Sequence, residues 1–396
     1  MEKATQQQTK THNAQLVLQT IFSRGKVSRA DIARFTRLTR TTVSDAVTEL
    51  IAKGLVEEVG YGESGGGKSP ILLSVVSNSR HLIGVDLASD EFRGAVVNLR
   101  GEIIRTVAFP ISSRSGEEAL ALVYKLLDTL LASSDGPMLG IGIGTPGLVD
   151  TSEGIVHRAV NLDWQDLRLG DLLKSRYHLP VYIVNDSQAA VLAEYIFGGW
   201  DTGQNLVVIK AGQGIGAGIV LNGQLFQGDT SSAGEIGHMV VVENGLTCRC
   251  GHNGCLETVA SARALLQRTY TLARATPYSP LSLLAPEALT LEILQKALEA
   301  NDSVARQVVT EVGQYLGSAV ACLVSTLNVR RFLLDGSVTV LGTPLLKVIQ
   351  SEMRRRAMAT LAQDTRVEFG RFGLDVVILG ASALLLTHEL GLNFMN

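Results

Sequence analysis

The sequence predicts an α/β body of two related lobes, preceded by an all-α/winged helix-turn-helix head. Three observations predict it. A strand–strand–helix pattern occurs twice in the body, three short amphipathic helices and two strands precede it, and 396 residues exceed what one hydrophobic core can organise, because single cores stop growing near roughly 250–300 residues. Composition agrees: 46% hydrophobic and 18% charged residues, with 40 glycines spread through alternating apolar runs, describe a globular chain and exclude a disordered one. Apolar stretches stop short of the roughly 18 uninterrupted residues of a membrane span. Residues 1–13 are polar where a signal peptide has an apolar block, so the expected location is the cytoplasm, with no membrane partner.

The net charge of -3 hides an asymmetry. Residues 1–80 hold 11 Lys/Arg against 7 Asp/Glu, and the remaining residues hold 24 against 31. A basic head on an acidic body points to a polyanionic partner for the head alone.

In the head, Leu18, Ile21 and Phe22 mark one face of a support helix. Ser28-Arg29-Ala30-Asp31 has the form of an N-cap and opens a short second helix through Phe35. Thr39 caps a third helix, whose Val43, Val47, Leu50 and Ile51 form an apolar face and which ends at Lys53-Gly54. Its opposite face carries Arg40, Thr41, Thr42, Ser44, Asp45 and Thr48, short polar and basic side chains suited to phosphates and base edges in the major groove of an operator. Segments 55–59 and 71–75 read as strands flanking a glycine-rich tip with Lys68, the expected wing against the DNA backbone.

In the body, 81–86 and 94–99 read as strands, 117–131 as a helix and 139–144 as a buried strand ending in Thr145-Pro146-Gly147. A strand at 181–184 runs into Asn185-Asp186 and the apolar helix 189–197, after which 205–210 and 217–221 repeat the opening hairpin. The expected division is a head at 1–78, a first lobe at 79–197 and a second lobe with a cysteine-bearing loop at 198–396, with a cleft between the lobes. Three of the four cysteines, Cys248, Cys250 and Cys255, lie within eight residues, too close for a disulfide framework and suited to a metal. The fourth, Cys322, lies in an apolar run and is expected to be an inert core residue.

Glu235-Ile236-Gly237-His238, followed by Cys248-Arg249-Cys250-Gly251-His252-Asn253-Gly254-Cys255-Leu256-Glu257, resembles the ROK group of repressors and sugar kinases over essentially the whole chain. The resemblance implies an actin-like ATPase (ribonuclease H-like) fold for the body, and the head is a feature of the repressor branch. One imidazole and three thiolates, from His238, Cys248, Cys250 and Cys255, close a tetrahedral zinc shell with no open position, so the expected metal is a structural Zn2+; His252 is the alternative imidazole. The resemblance further implies that Asn185, Asp186, Glu235, His238 and Glu257 hold a monosaccharide, with Asn161 near its hydroxyls and Gly147 shaping the pocket floor. Glu235 and Glu257, fixed by neighbouring metal ligands, are the directional acceptors that sugar hydroxyls need.

In a kinase of this group Asp186 would be the general base; in a sensor it accepts a hydrogen bond, and it could equally cap the following helix. The phosphate loops favour a sensor. Kinases of the group have Asp-x-Gly-Gly-Thr where this chain has Asp86-Leu87-Ala88-Ser89-Asp90, adding Cβ bulk and negative charge near the phosphates. Gln213 replaces threonine in the second loop, and Leu334-Asp335-Gly336-Ser337-Val338 is poor in glycine for an adenosine turn. The expectation is a non-enzymatic, sugar-responsive repressor, homodimeric so as to read two half-sites and capable of pairing further into tetramers. The alternative is an ATP-dependent sugar kinase with an added head.

Overall fold

The computed structural model describes residues 6–63, 69–88, 90–199 and 203–392. The head comprises α1 (Gln6–Arg24), β1 (Val27–Ser28), α2 (Arg29–Thr36), α3 (Arg40–Ala52), β2 (Val56–Tyr61) and β3 (Ile71–Val75). Both predicted caps form: Ser28 Oγ accepts from Asp31 N, and Thr39 Oγ1 accepts from Thr42 N. Leu18, Ile21, Ile32, Val43, Val47 and Leu50 close the head's core. Ile51 does not join it; that residue lies on the solvent side of α3, one position past the buried stripe. The two predicted strands pair antiparallel, and β1 adds to β3 to give the order β1-β3-β2.

The body follows with β4 (His81–Asp86), β5 (Glu91–Asn98), β6 (Ile103–Pro110), α4 (Gly116–Ala132), β7 (Met138–Thr145), β8 (Leu148–Asp150), β9 (Ile155–Ala159), β10 (Trp164–Leu167), α5 (Leu169–Tyr177), β11 (Val181–Asn185) and α6 (Asp186–Phe197). The second half contains β12 (Leu206–Ala211), β13 (Ile215–Leu221), β14 (Gln224–Leu225), α7 (Glu257–Ala260), α8 (Ala262–Arg274), α9 (Leu291–Glu299), α10 (Ser303–Leu327), β15 (Arg331–Asp335), α11 (Gly342–Arg356), α12 (Ala359–Ala362), β16 (Arg366–Phe369) and α13 (Val376–Leu390).

Two five-stranded sheets repeat one topology. The first has the order β11-β7-β4-β5-β6 and the second β14-β13-β12-β15-β16. In each, three strands form an antiparallel meander and two more add in parallel beside its first strand. The internal repeat read from the sequence is therefore real. A small antiparallel sheet of β8, β9 and β10 hangs from the first lobe beside the cleft.

The helices do not respect the expected division at residue 197. Helix α6 packs on β12 and β13 of the second sheet, while α13, from the far end of the chain, returns to β4 and β7 of the first. The two helices press against each other between the sheets, and their contact is close: a Cβ on Gly380 would fall 1.7 Å from Ala189 O. Both helices are apolar on nearly every face, as a helix buried on two sides must be, so periodicity could not say which sheet each covers. Helices α10 and the segment Gly373–Leu390 are long and apolar enough to cross a membrane by composition, but 61% of each such window is buried inside the fold. Cys322 is exposed on α10, contrary to the expectation of a core thiol: in an amphipathic helix an apolar run still turns some positions outward.

Candidate functional site

A cavity of about 340 Å³ opens between the lobes. It is lined by the ends of β7 and β11, the start of α6, the β8–β9 hairpin, the loop before β13 and the segment carrying the cysteines. All six residues expected to meet a sugar, Asn161, Asn185, Asp186, Glu235, His238 and Glu257, line it together.

Asn185 caps α6, its Oδ1 accepting from Ser187 N at 2.9 Å and Gln188 N at 3.3 Å while its Nδ2 donates to Gly147 O at 3.0 Å. The capping role weighed for Asp186 thus belongs to Asn185, because the helix begins one residue earlier than the apolar pattern shows. Gly147 has φ +88°, and a Cβ on it would fall 2.0 Å from Arg158 O, so only glycine fits the pocket floor.

Asp186 is not the cap residue, but its Oδ1 shares the Ser187 amide at 2.9 Å. Its Oδ2 accepts from Lys210 Nζ at 2.7 Å, both side chains being almost buried. Burial works against the Lys210 charge, yet the carboxylates of Asp186, Asp86 and Asp335 prevail and hold its pKa above the ordinary value. Glu235 is pushed up to about 7 by burial, with the charges of Asp186 and Glu257 acting in the same direction and His238 opposing. Glu257 Oε2 accepts from Ile215 N at 3.3 Å.

His238 faces two ways. Its Nδ1 lies 3.5 Å from Cys248 Sγ, and its Nε2 lies 3.8 Å from Glu235 Oε2. The ligand atoms of His238, Cys248, Cys250 and Cys255 all lie within 4.8 Å of one another. His252 stands outside that group, touching Cys250 Sγ through Nδ1 at 3.7 Å. Cys250 is held down to about 6, first by the His252 backbone, whereas burial raises Cys255 to about 12. A donor set of one imidazole and three thiols at this spacing fits a tetrahedral Zn2+, and the Glu235 carboxylate behind the imidazole is the usual partner of a metal-bound histidine.

The two phosphate-loop departures meet each other across the cleft: Gln213 Nε2 donates to Asp90 Oδ2 at 2.8 Å. Three cavity residues escaped sequence reasoning as ligand contacts, namely Lys210, Arg158 and Arg249. Lys210 had a signal, a lone cation in the fully buried strand β12. Arg158 had none, and Arg249 was visible only as a spacer between two cysteines.

In the head, Arg40, Thr41, Ser44 and Thr48 are exposed on α3, as a reading helix requires, and Thr42 is half-buried at the cap. The hydroxyls of Thr42 and Thr48 are partly committed, one beside Thr39 Oγ1 at 2.8 Å and the other donating to Ser44 O at 2.8 Å. Lys68 lies outside the described residues.

Residues 82–388 match the family model for the ROK family, and residues 11–68 match that for a winged helix DNA-binding domain. The chain is 32% identical over 383 residues to a xylose repressor of Caldicellulosiruptor bescii, covering 96% of both proteins. Among solved structures, a ROK family transcriptional regulator described as a homologue of the Escherichia coli MLC protein superposes with a TM-score of 0.84 at 28% identity, covering 97% of this chain and 98% of that one. A ROK family glucokinase from Streptomyces griseus, in complex with glucose and AMPPNP, superposes with a TM-score of 0.71 at 29% identity, covering 77% of this chain and 98% of the kinase.

Proposed function

This chain belongs to the ROK family, and from that premise we propose that it is a sugar-responsive transcriptional repressor whose winged head binds operator DNA and whose body binds a monosaccharide between its lobes. The observation that carries this is the meeting of Asn161, Asn185, Asp186, Glu235, His238 and Glu257 around one cavity in a chain that also has a DNA-binding head. Carboxylates accept from sugar hydroxyls, and Asn161 can donate and accept.

Phosphoryl transfer is poorly served by the same geometry. The would-be base Asp186 is ion-paired to Lys210, and the Asp90–Gln213 hydrogen bond joins the two loops where a triphosphate would pass. A base needs free access to the proton that it removes.

His238, Cys248, Cys250 and Cys255 would hold Zn2+, which supplies a rigid cross-link for the loop between β14 and α7. This chain's own residues do the rest: Glu257 and Glu235 stand beside that loop and keep their direction, and His238 presents Nε2 to the cavity side. Reduced thiols of this kind suit the cytoplasm. A homodimer would place two reading helices one turn of duplex apart or a multiple of it, and sugar binding would alter their spacing.

The test is an electrophoretic mobility-shift titration of the full chain on its operator with a panel of monosaccharides. One sugar of the panel should release the DNA. Operator binding indifferent to every sugar would remove the sensing reading, and ATP-dependent phosphorylation of a sugar would restore the kinase.

A further inference from the structure

The cavity is electrically divided. The Asp186 carboxylate is already neutralised by Lys210, and Glu257 accepts from a backbone amide. At the exposed wall, beside Asn161, stand Arg158 from β9 and Arg249 from the cysteine-bearing segment. Arg249 Nη1 donates to Asn161 Oδ1, which orients its guanidinium across the cleft from one lobe to the other. Among the described residues neither arginine forms an ion pair. The acids that line the same cavity have partners of their own: Asp186 pairs with Lys210, Glu235 faces His238, and Glu257 accepts from Ile215 N.

Two guanidinium groups without an ionic partner on the wall of one cavity raise the local positive potential, and a bound anion relieves it. Neutral sugar hydroxyls gain little from such a pair, since one donor per hydroxyl suffices. A planar carboxylate or a phosphate matches the fork of guanidinium donors with charge-assisted bonds.

Resting on the sugar-sensing reading above, we infer that the effector is an anionic monosaccharide, its ring hydroxyls on Asp186, Glu235 and Glu257 and its carboxylate or phosphate on Arg158 and Arg249. The acid end of the cavity then selects for a sugar, and the arginine end selects for its charge. Binding ties Arg158 of the first lobe and Arg249 of the second to one group, so the same anion also draws the lobes together.

The experiment is calorimetric titration of the full chain with matched sets: glucose, glucuronate and glucose 6-phosphate, and the galactose counterparts. At least one acidic sugar should bind about tenfold or more tighter than its neutral parent, with an advantage that shrinks at high salt. A uronate preference identifies a carboxylate source, and a sugar phosphate preference a phosphate source. In Arg158→Gln, Arg249→Gln and the double variant, with unchanged melting temperature as the check on folding, the ratio of acid to neutral affinity should collapse towards one. A neutral parent that binds as tightly as its acids, or an acid preference that survives loss of both arginines, overturns the anionic effector and leaves sugar sensing intact. Failure of every sugar, neutral or acidic, overturns both.

Discussion

An ammonium taken out of water is costly unless carboxylates surround it, and Lys210 shows how completely the cleft depends on that balance. Its neighbours Asp86, Asp186 and Asp335 come from β4, α6 and β15, so one cation reconciles acids from both lobes. Replacing it with an apolar side chain, Lys210→Met, leaves those acids without their counter-charge and should lower stability by about 3 kcal/mol or more, read as an earlier midpoint in urea unfolding. An unchanged midpoint would show that the acids take up protons instead. Asp335 supplies a second readout. Burial, with the Glu194 charge adding and Lys210 opposing, pushes it from an ordinary 3.8 up to about 7. The folded chain therefore keeps a proton that the unfolded chain has lost across that interval. This group's contribution makes stability fall as pH rises from about 4 to about 7. Asp335→Asn should flatten that segment of the stability profile, measured by denaturant midpoints across the range. At this scale the sequence was informative where residue types are rare and clustered, as with Glu235, His238 and the cysteines. It marked Lys210 only as a lone cation in an apolar strand, without its partners, and it was silent on Arg158, because contacts drawn from distant strands leave no local pattern.

Elements begin and end where short polar side chains satisfy backbone groups, which is why the head was legible almost residue by residue. Ser28 and Thr39 were readable as caps because the competition between side chain and backbone is local. Thr39→Ala should cost about 1 kcal/mol by removing the acceptor for Thr42 N, and it should weaken operator binding because Thr41 and Thr42 lie in the first turn of α3. Thermal denaturation and a mobility-shift assay would check the two halves of that expectation separately. Strand β1 escaped notice: two residues carry no period, and it exists only because β3 offers an edge. The cysteine-bearing segment is similar in kind. Apart from two isolated bridges, Val240 with Cys255 and Thr247 with Asn253, it has little regular structure to hold it. With Zn2+ held as proposed by His238, Cys248, Cys250 and Cys255, chelation should lower the melting temperature and abolish sugar binding while leaving the far-ultraviolet circular dichroism nearly unchanged. A chelated protein that binds sugar at full affinity would refute a structural role for zinc.

At the scale of the molecule, the two sheets are joined through α13 and α6, and the hydrophobic core runs without a break from the head into the first lobe. The repeated topology was readable because strand–strand–helix recurs in sequence; the crossing of the two apolar helices was not, because a helix buried all round has no face to read. This arrangement suggests how a closing cleft reaches the DNA. Asn185 and Asp186 open α6, α6 presses on α13 at Gly380, and α13 ends beside α1, where Gly391 touches Gln15. A second tie is Arg100, which donates to Phe22 O at the end of α1 and lies 4.8 Å from the centroid of the Phe22 ring. Burial lowers its pKa without removing its charge, so the guanidinium stays a donor and a cation over the ring. Arg100→Ala removes both contacts at a point distant from sugar and DNA alike. If the two sites are coupled through this junction, sugar affinity measured by calorimetry should stay near that of the natural protein, and so should operator affinity without sugar, while the loss of operator affinity on adding sugar shrinks severalfold. A variant that responds to sugar as strongly as the natural protein would place the coupling entirely in α13, and Gln15→Ala at its far end would then be the change that uncouples the head.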